Sequence, residues 1–154
     1  MKKLILILLL FSCVIPSGFA QLKSHSFEEV EGLNQKNPKP TLVFIHTSWC
    51  KYCKMMEKST FQNPEIIQIL KEKFYFILLD AESKQDVKFN NHTFKFKLNG
   101  LSSGIHELAT ELATINNEII YPTIAVLDSN FSIVFQKHSV LNAKELLFIL
   151  QNIK

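Results

Sequence analysis

Residues 47–56 read TSWCKYCKMM and place two cysteines, Cys50 and Cys53, two residues apart. The run before them, residues 41–46 (TLVFIH), is mostly apolar and rich in β-branched residues, which is typical of a buried strand. Residues 51–58 follow with good helix formers and without Gly or Pro. The cysteine pair is therefore predicted to lie where a strand passes into a helix.

Three kinds of site use two cysteines at this spacing: a dithiol redox couple, half of a metal site, and a structural disulfide. A disulfide between Cys50 and Cys53 would close a very short loop, which constrains the unfolded chain less than a long loop would. At a helix start, unpaired N–H groups and the helix dipole would favour a thiolate at Cys50, and Lys51 and Lys54 add positive charge. Cys53, one turn into the helix, could then attack a mixed disulfide formed at Cys50. Position and spacing favour the redox couple.

Metal binding is the weaker interpretation of the pair. His46 lies four residues before Cys50, but structural zinc normally has four ligands, and the chain lacks a second CxxC or an HxxxH. Met55 and Met56 suggest copper(I), which thioether and thiolate ligands suit, although methionines at helical spacing more often fill a core. We predict no resident metal and keep a copper metallochaperone as an alternative function.

The first 20 residues read as an export signal. Lys2 and Lys3 precede the apolar run 4–11, and the small-residue stretch 18–20 provides a cleavage site near Ala20. A periplasmic or secreted location follows, with residues 21–154 as one domain. The alternative is a lipoprotein anchored through Cys13.

The charge of the chain argues against nucleic acid as a partner. The full chain has 17 basic and 14 acidic residues, and all 17 basic residues are lysines. Removing Lys2 and Lys3 leaves 15 against 14, a net charge of +1. Without arginine, the chain lacks the bidentate donor that commonly contacts phosphates and bases.

The remaining elements predict a mixed α/β sheet with helices on its faces. Three helix starts carry capping signals: Ser26 with Glu29, Asn63 before Pro64, and Asn142 with Glu145. The expected elements are a helix ending near residues 32–37, strand 41–46, helix 51–58, helix 65–73, strand 74–79, helix 104–115, strand 123–127, strand 131–135 and a helix to about residue 152. We also expect an inserted hairpin near residues 84–100 that turns at Asn90–Asn91, where a minimal fold of this kind would need only a loop.

Residues 49–66, WCKYCKMMEKSTFQNPEI, resemble a motif of the thioredoxin-like superfamily, W-C-x-x-C-K-x-(M/F)-E-x-x-T-F-x-(D/N)-P-x-(V/I). The resemblance is closest to small exported thioredoxin-like proteins and to the C-terminal periplasmic domain of membrane thiol:disulfide interchange reductases. It implies a thioredoxin fold, a central mixed β-sheet flanked by helices. It also implies that Cys50 is the nucleophile, that Cys53 resolves, and that the Cys50–Cys53 disulfide is the redox group without another cofactor.

The same resemblance implies a substrate-binding surface around the cysteines. Residues 121–123, Tyr121-Pro122-Thr123, match the loop whose cis-proline faces the CxxC and pairs with substrate backbone. Trp49 would shield the site and offer apolar contact. Lys51 and Tyr52, between the cysteines, would contact substrate and tune the redox poise.

One position departs from the family pattern. Relatives carry an acid six residues before the first cysteine, where it helps to deprotonate the resolving thiol, and this chain has Phe44 there. Glu57, one turn after Cys53, is a candidate for that proton transfer.

These observations predict an exported thiol:disulfide oxidoreductase that reduces disulfides. The expected partners are exported proteins with disulfides and a membrane thiol electron carrier that re-reduces the CxxC, and we expect a monomer. The alternatives are the copper metallochaperone and a redox-inert binding adaptor.

Overall fold

The computed structural model describes residues 22–153 of the chain. The predicted export signal, its cleavage site near Ala20 and the alternative anchor Cys13 lie outside the described residues. Within residues 22–153, no helix has the length and apolar character needed to cross a membrane.

The architecture is an α/β thioredoxin fold, as the sequence predicts. Four strands form the main sheet: β1 (Thr41–His46), β2 (Tyr75–Asp80), β9 (Thr123–Leu127) and β10 (Ile133–His138). Their order in the sheet is β10-β9-β1-β2, in which β1 is parallel to β2 and antiparallel to β9, and β9 is antiparallel to β10. The helices are α1 (Phe27–Lys36), α2 (Lys51–Lys58), α3 (Pro64–Lys73), α4 (Glu107–Ala113) and α5 (Ala143–Asn152), with a 3-10 turn at Thr60–Gln62.

Both faces of the central strand β1 are buried, because helices cover each side of the sheet. On one face, Leu42 and Phe44 pack in a core cluster with side chains of α2, α3 and α5. On the other face, Val43 and Ile45 pack with side chains of α1 and α4. The two cysteines belong to the first cluster, so the face that carries Phe44 is also the face of the CxxC pair.

The predicted helix starts are confirmed. Ser26 with Glu29 and Asn142 with Glu145 form complete capping boxes at α1 and α5. The side chain of Asn63 accepts hydrogen bonds at the start of α3, where Pro64 is the first helical residue and needs no N–H donor.

The inserted hairpin is present but is larger than the sequence predicts. Strands β3 (Val87–Phe89) and β4 (His92–Phe94) pair around Asn90 and Asn91, both of which have positive φ, as a two-residue hairpin turn requires. Strand β5 (Phe96–Leu98) does not extend this hairpin and pairs with β6 (Gly104–His106). Gly104 approaches the Lys97 carbonyl oxygen so closely that a Cβ would clash with it, so the second pairing requires glycine.

The helix expected over residues 104–115 is shorter in the structure. His106 ends β6 and its ring nitrogen caps α4, which therefore starts at Glu107. After Ala113 the chain forms a second small hairpin from β7 (Thr114–Ile115) and β8 (Glu118–Ile119), turning at Asn116–Asn117 with positive φ at both residues. The spacing of the apolar residues in 105–115 predicts one continuous helix. Apolar spacing alone indicates neither the helix cap at His106 nor the turn at Asn116–Asn117.

Candidate active site

Cys50 and Cys53 form a disulfide at the start of α2, with their Cα atoms 5.3 Å apart. Cys50 is the N-cap residue of the helix, and the backbone N–H of Cys53 donates a hydrogen bond to its Sγ atom at 3.1 Å. This position is the strand-to-helix junction that the sequence predicts. The unpaired N–H groups and positive dipole end of a helix favour a negative charge at the N-cap, here on the sulfur of Cys50.

The two cysteines differ in their exposure. Cys50 is 5% exposed, whereas Cys53 is 0% exposed and packs in the core. Of the two cysteines, only Cys50 therefore has surface open to solvent. The lysine and tyrosine between the cysteines, Lys51 and Tyr52, both project outward, and Tyr52 is 63% exposed.

Trp49 lies beside Cys50 on the surface and is 64% exposed. Its indole Nε1 donates a hydrogen bond to Glu82 Oε1 at 3.1 Å. Its ring also packs edge-on against Tyr121, with ring centroids 6.3 Å apart. The indole is therefore held at the rim of the site although most of its surface is open to solvent.

The loop before β9 holds the predicted residues Tyr121, Pro122 and Thr123. The peptide bond between Tyr121 and Pro122 is cis. Thr123 is fully buried and its hydroxyl donates a hydrogen bond to the Ile120 carbonyl, so its side chain is not a surface group. Any contact of Thr123 with a substrate would involve its backbone.

Two acidic residues near this loop were not predicted from the sequence. Burial, together with the negative charges of Glu82 and Asp80, raises the pKa of Tyr121 to about 12. Asp80 ends β2, and its Oδ1 accepts a hydrogen bond from the backbone N–H of Glu82 at 3.0 Å. Glu82 contacts Trp49 from 33 residues further along the chain, so no local pattern could have identified it.

His46 and Glu57 meet on the face of the sheet that carries the cysteines. His46 Nδ1 lies 3.8 Å from Glu57 Oε1, and the His46 ring stacks on Phe44 with centroids 6.0 Å apart and an angle of 10° between the planes. Phe44 itself is fully buried. The sequence analysis weighed His46 only as a metal ligand, although the period of two along a strand already places His46 and Phe44 on one face.

The described part of the chain holds no group of three or more His, Cys, Asp or Glu side chains that could bind a metal ion. Of the two methionines next to the cysteines, Met56 is fully buried in the core and Met55 is 48% exposed. Met56 is therefore a core residue, as methionines at helical spacing commonly are.

Taken together, these residues fit exchange between thiols and a disulfide. The site has a slightly exposed cysteine at a helix N-terminus, a fully buried cysteine one turn later, and an exposed aromatic residue beside the first cysteine. Thiolate attack on a disulfide requires only an accessible sulfur and a partner thiol within reach.

Comparison with known proteins agrees with this chemistry. A family model described as a thioredoxin-like domain matches residues 27–154. Spermatogenesis-associated protein 20 from Mus musculus is 40% identical over 53 residues, which are 34% of this chain and 7% of that protein. The chain thus spans only a small part of the length of the curated relatives it matches.

Solved structures show the same fold. The structure titled DsbH Oxidoreductase has a TM-score of 0.61 and 15% identity, and the match covers 88% of this chain and 86% of that chain. The reduced DsbD C-terminal domain of Neisseria meningitidis has a TM-score of 0.54 and 18% identity, covering 82% of this chain and 92% of that chain. At such low identity, the similarity demonstrates the fold alone.

Proposed function

We propose that this chain, which belongs to the thioredoxin-like domain family and joins its CxxC cysteines in a disulfide, is a thiol:disulfide oxidoreductase that reduces disulfides outside the cytoplasm. The observation that carries the proposal is the unequal exposure of Cys50 and Cys53 at the start of α2. It supports a nucleophile that meets the substrate and a resolving thiol that does not.

In this proposal, the Cys50 thiolate attacks one sulfur of a substrate disulfide. The substrate S–S bond breaks, one substrate sulfur leaves as a thiolate, and a mixed disulfide with Cys50 forms. Cys53 then loses its proton and attacks the sulfur of Cys50, which expels the second substrate sulfur as a thiolate. The substrate gains two electrons, and the protein returns to the oxidised Cys50–Cys53 state. The redox-active disulfide is the only redox group in this scheme.

The charges near the site support reduction over oxidation. A strong oxidant needs a strongly stabilised thiolate, because that makes the reduced form stable. Glu82 is hydrogen-bonded to Trp49, the residue that precedes Cys50, and we propose that its carboxylate opposes the stabilisation that the helix N-terminus gives to a Cys50 thiolate. A less stabilised thiolate lowers the reduction potential of the pair.

We further propose that substrates contact the exposed side chains Trp49, Lys51 and Tyr52 and the loop Tyr121–Pro122–Thr123. Such contacts would combine an apolar rim with backbone hydrogen bonds, a common way of binding an extended peptide. The substrates would be exported proteins with disulfides, and a membrane thiol carrier would re-reduce the chain.

The proposed location rests on the export signal at residues 1–20, with a lipid anchor at Cys13 as the alternative form. In either form the active domain works as a monomer beyond the inner membrane. Fractionation of cells expressing the full chain, with and without a Cys13→Ser substitution, separates the two forms.

Trapping of substrates tests the proposed activity. Cys53→Ala should accumulate mixed disulfides through Cys50, visible as bands that disappear on reduction, while Cys50→Ala serves as the matched control and should trap none. The reduction potential of the wild-type pair, measured against glutathione, should lie nearer to the value of about −270 mV for thioredoxin than to the value of about −120 mV for a strong oxidant. A folded Cys53→Ala variant that traps no protein would contradict the proposal.

A further inference from the structure

We propose that His46 accepts the proton of Cys53 during resolution and that Glu57 holds the imidazole in place for this step. The inference rests on the proposed function, since it concerns the second half of the same exchange reaction. In this inference, His46 takes over the deprotonation of the resolving thiol, which an acid at the position of Phe44 would otherwise assist.

The strand side of the arrangement is defined by Phe44 and His46. Both side chains leave the same face of β1, and their rings stack with nearly parallel planes, 10° apart. Phe44 belongs to the core cluster that contains Cys50 and Cys53. His46 is therefore the next residue along this face towards the end of β1, where the chain turns into the CxxC helix.

The helix side is defined by Cys53 and Glu57. They are four residues apart in α2, so their side chains lie above one another on the same helix face. Glu57 Oε1 is 3.8 Å from His46 Nδ1, which places the imidazole against that face. The His46 side chain is 16% exposed and that of Glu57 is 37% exposed, so a proton taken up by His46 has a path to solvent.

The other charged groups around His46 come from the neighbouring elements. On β2, Asp80 is its paired residue in the parallel register. On the opposite side, Thr123 pairs with Ile45, so continuing the register sets the uncharged Pro122 beside His46, followed by Tyr121, whose raised pKa of about 12 keeps it neutral. Among the described residues, Glu57 from α2 and Asp80 from β2 are thus the charged groups next to His46, and both are acidic.

In the mixed disulfide, the S–H proton of Cys53 moves to His46 Nε2, while Nδ1–H faces Glu57. The Cys53 thiolate forms a bond to the sulfur of Cys50, and the bond between Cys50 and the substrate sulfur breaks with its electron pair on the substrate. The imidazolium then returns the proton to water or to the departing thiolate. The substrate disulfide is the oxidant, and no further reactant is needed.

A single-turnover reaction of the reduced protein with Ellman's reagent separates the two halves of the exchange. Attack by Cys50 releases the first coloured thiolate, and attack by Cys53 on the resulting mixed disulfide releases the second. We expect His46→Gln to slow the second release at least about a hundredfold, the lower end of the range for loss of a general base, and to leave the first within about twofold. Without a neighbouring base, Cys53 must ionise unaided, so the second release in the variant should rise steeply with pH and its deficit relative to wild type should shrink at alkaline pH.

Three further measurements sharpen the test. Glu57→Gln should slow the second release less than His46→Gln, because the imidazole remains but its charged form loses a partner. His92→Gln, at an exposed histidine in β4, is the matched control and should behave as wild type. His46→Ala provides a second variant, in which added imidazole should accelerate the second release.

The outcomes distinguish this inference from the proposed function. A second release with wild-type rate and pH profile in folded His46→Gln would overturn the role of His46 and leave the reductase proposal standing. A wild-type protein that shows no second release would overturn both. Circular dichroism of each variant establishes that the fold is intact.

Discussion

Trp49 Nε1 donates a hydrogen bond to Glu82 Oε1 at 3.1 Å and thereby joins the residue before Cys50 to the segment that follows β2. The backbone N–H of Glu82 donates a hydrogen bond to Asp80 Oδ1, which holds the backbone of Glu82 in place. The insertion begins just beyond this point. The hydrogen bond therefore joins the rim of the active site to the segment that leads into the insertion.

Loss of the Glu82 carboxylate should release the indole ring. Trp49 is the only tryptophan in the chain, so its fluorescence reports this site without interference. We expect Glu82→Ala to lower the fluorescence anisotropy of Trp49 and Glu82→Gln, which keeps an acceptor oxygen, to retain it. Since the bond is exposed, the free energy of unfolding should change by no more than about 1 kcal/mol. Equal anisotropy in wild type and Glu82→Ala would show that the hydrogen bond does not fix the ring.

Tyr121 should make the protein sensitive to alkaline pH. Its folded-state pKa of about 12 lies above the ordinary tyrosine value of about 10 in an unfolded chain. The folded state thus holds the phenol proton more tightly, and its contribution to stability is complete below about pH 10 and is lost as the pH rises to about 12.

Urea unfolding at pH 9 and pH 11.5 measures this contribution. The loss of stability between the two pH values should be smaller in Tyr121→Phe than in wild type. In Glu82→Gln the ultraviolet titration of Tyr121 should shift to lower pH, because one of the negative charges that raises its pKa is gone. Identical pH dependence in wild type and Tyr121→Phe would contradict the assignment.

His106 should be a main source of stability for the insertion. Its side chain is fully buried, its Nδ1 accepts the backbone N–H of Leu108 at 3.2 Å, and its Nε2 lies 3.1 Å from the Gln85 carbonyl oxygen. Because Nδ1 accepts, the proton of the neutral ring is on Nε2, which donates to Gln85.

His106→Ala removes both contacts and leaves a cavity, so we expect the free energy of unfolding to fall by about 2 to 4 kcal/mol. His106→Asn should lose less, since asparagine is a good N-cap for α4. Urea unfolding measures the difference, and amide exchange in β3 to β6 shows where the loss acts. A change below about 0.5 kcal/mol in His106→Ala would refute this role.

The first hairpin turn offers a test of backbone conformation. Asn91 has a φ of 61°, a region that glycine enters freely and alanine enters at a cost of about 1 kcal/mol or more. Asn91→Gly should therefore leave the melting temperature unchanged or raise it, and Asn91→Ala should lower it. If both variants melted at the same temperature, the turn would not have the φ angles found here.

The sequence predicts best those features that depend on neighbouring residues. The caps at Ser26 and Asn63, the strand that leads to Cys50 and the Asn90–Asn91 turn are all defined within a few positions, and the structure has each of them. The thioredoxin fold follows because these local elements occur in the order that the family motif leads one to expect.

The features that escape prediction depend on distant residues or on side chains in unusual roles. The contact of Trp49 with Glu82 spans 33 residues, and nothing near either residue indicates it. The histidine cap at His106 is missed because histidine is not a preferred N-cap residue. The turn at Asn116 is missed because the apolar pattern before it fits a longer helix.

The backbone N–H of His106 bonds the Ala81 carbonyl oxygen at 2.8 Å, so the chain departs from the main sheet and returns to it at nearly the same place. Residues 83–105 contribute no strand to the four-stranded sheet. The segment therefore lies outside the sheet, but its Phe89 packs in the core cluster with side chains of α1 and α4, so any replacement would have to restore that contact. Evolution, or an engineer, could alter what the protein meets at this end of the molecule while leaving its redox machinery in place.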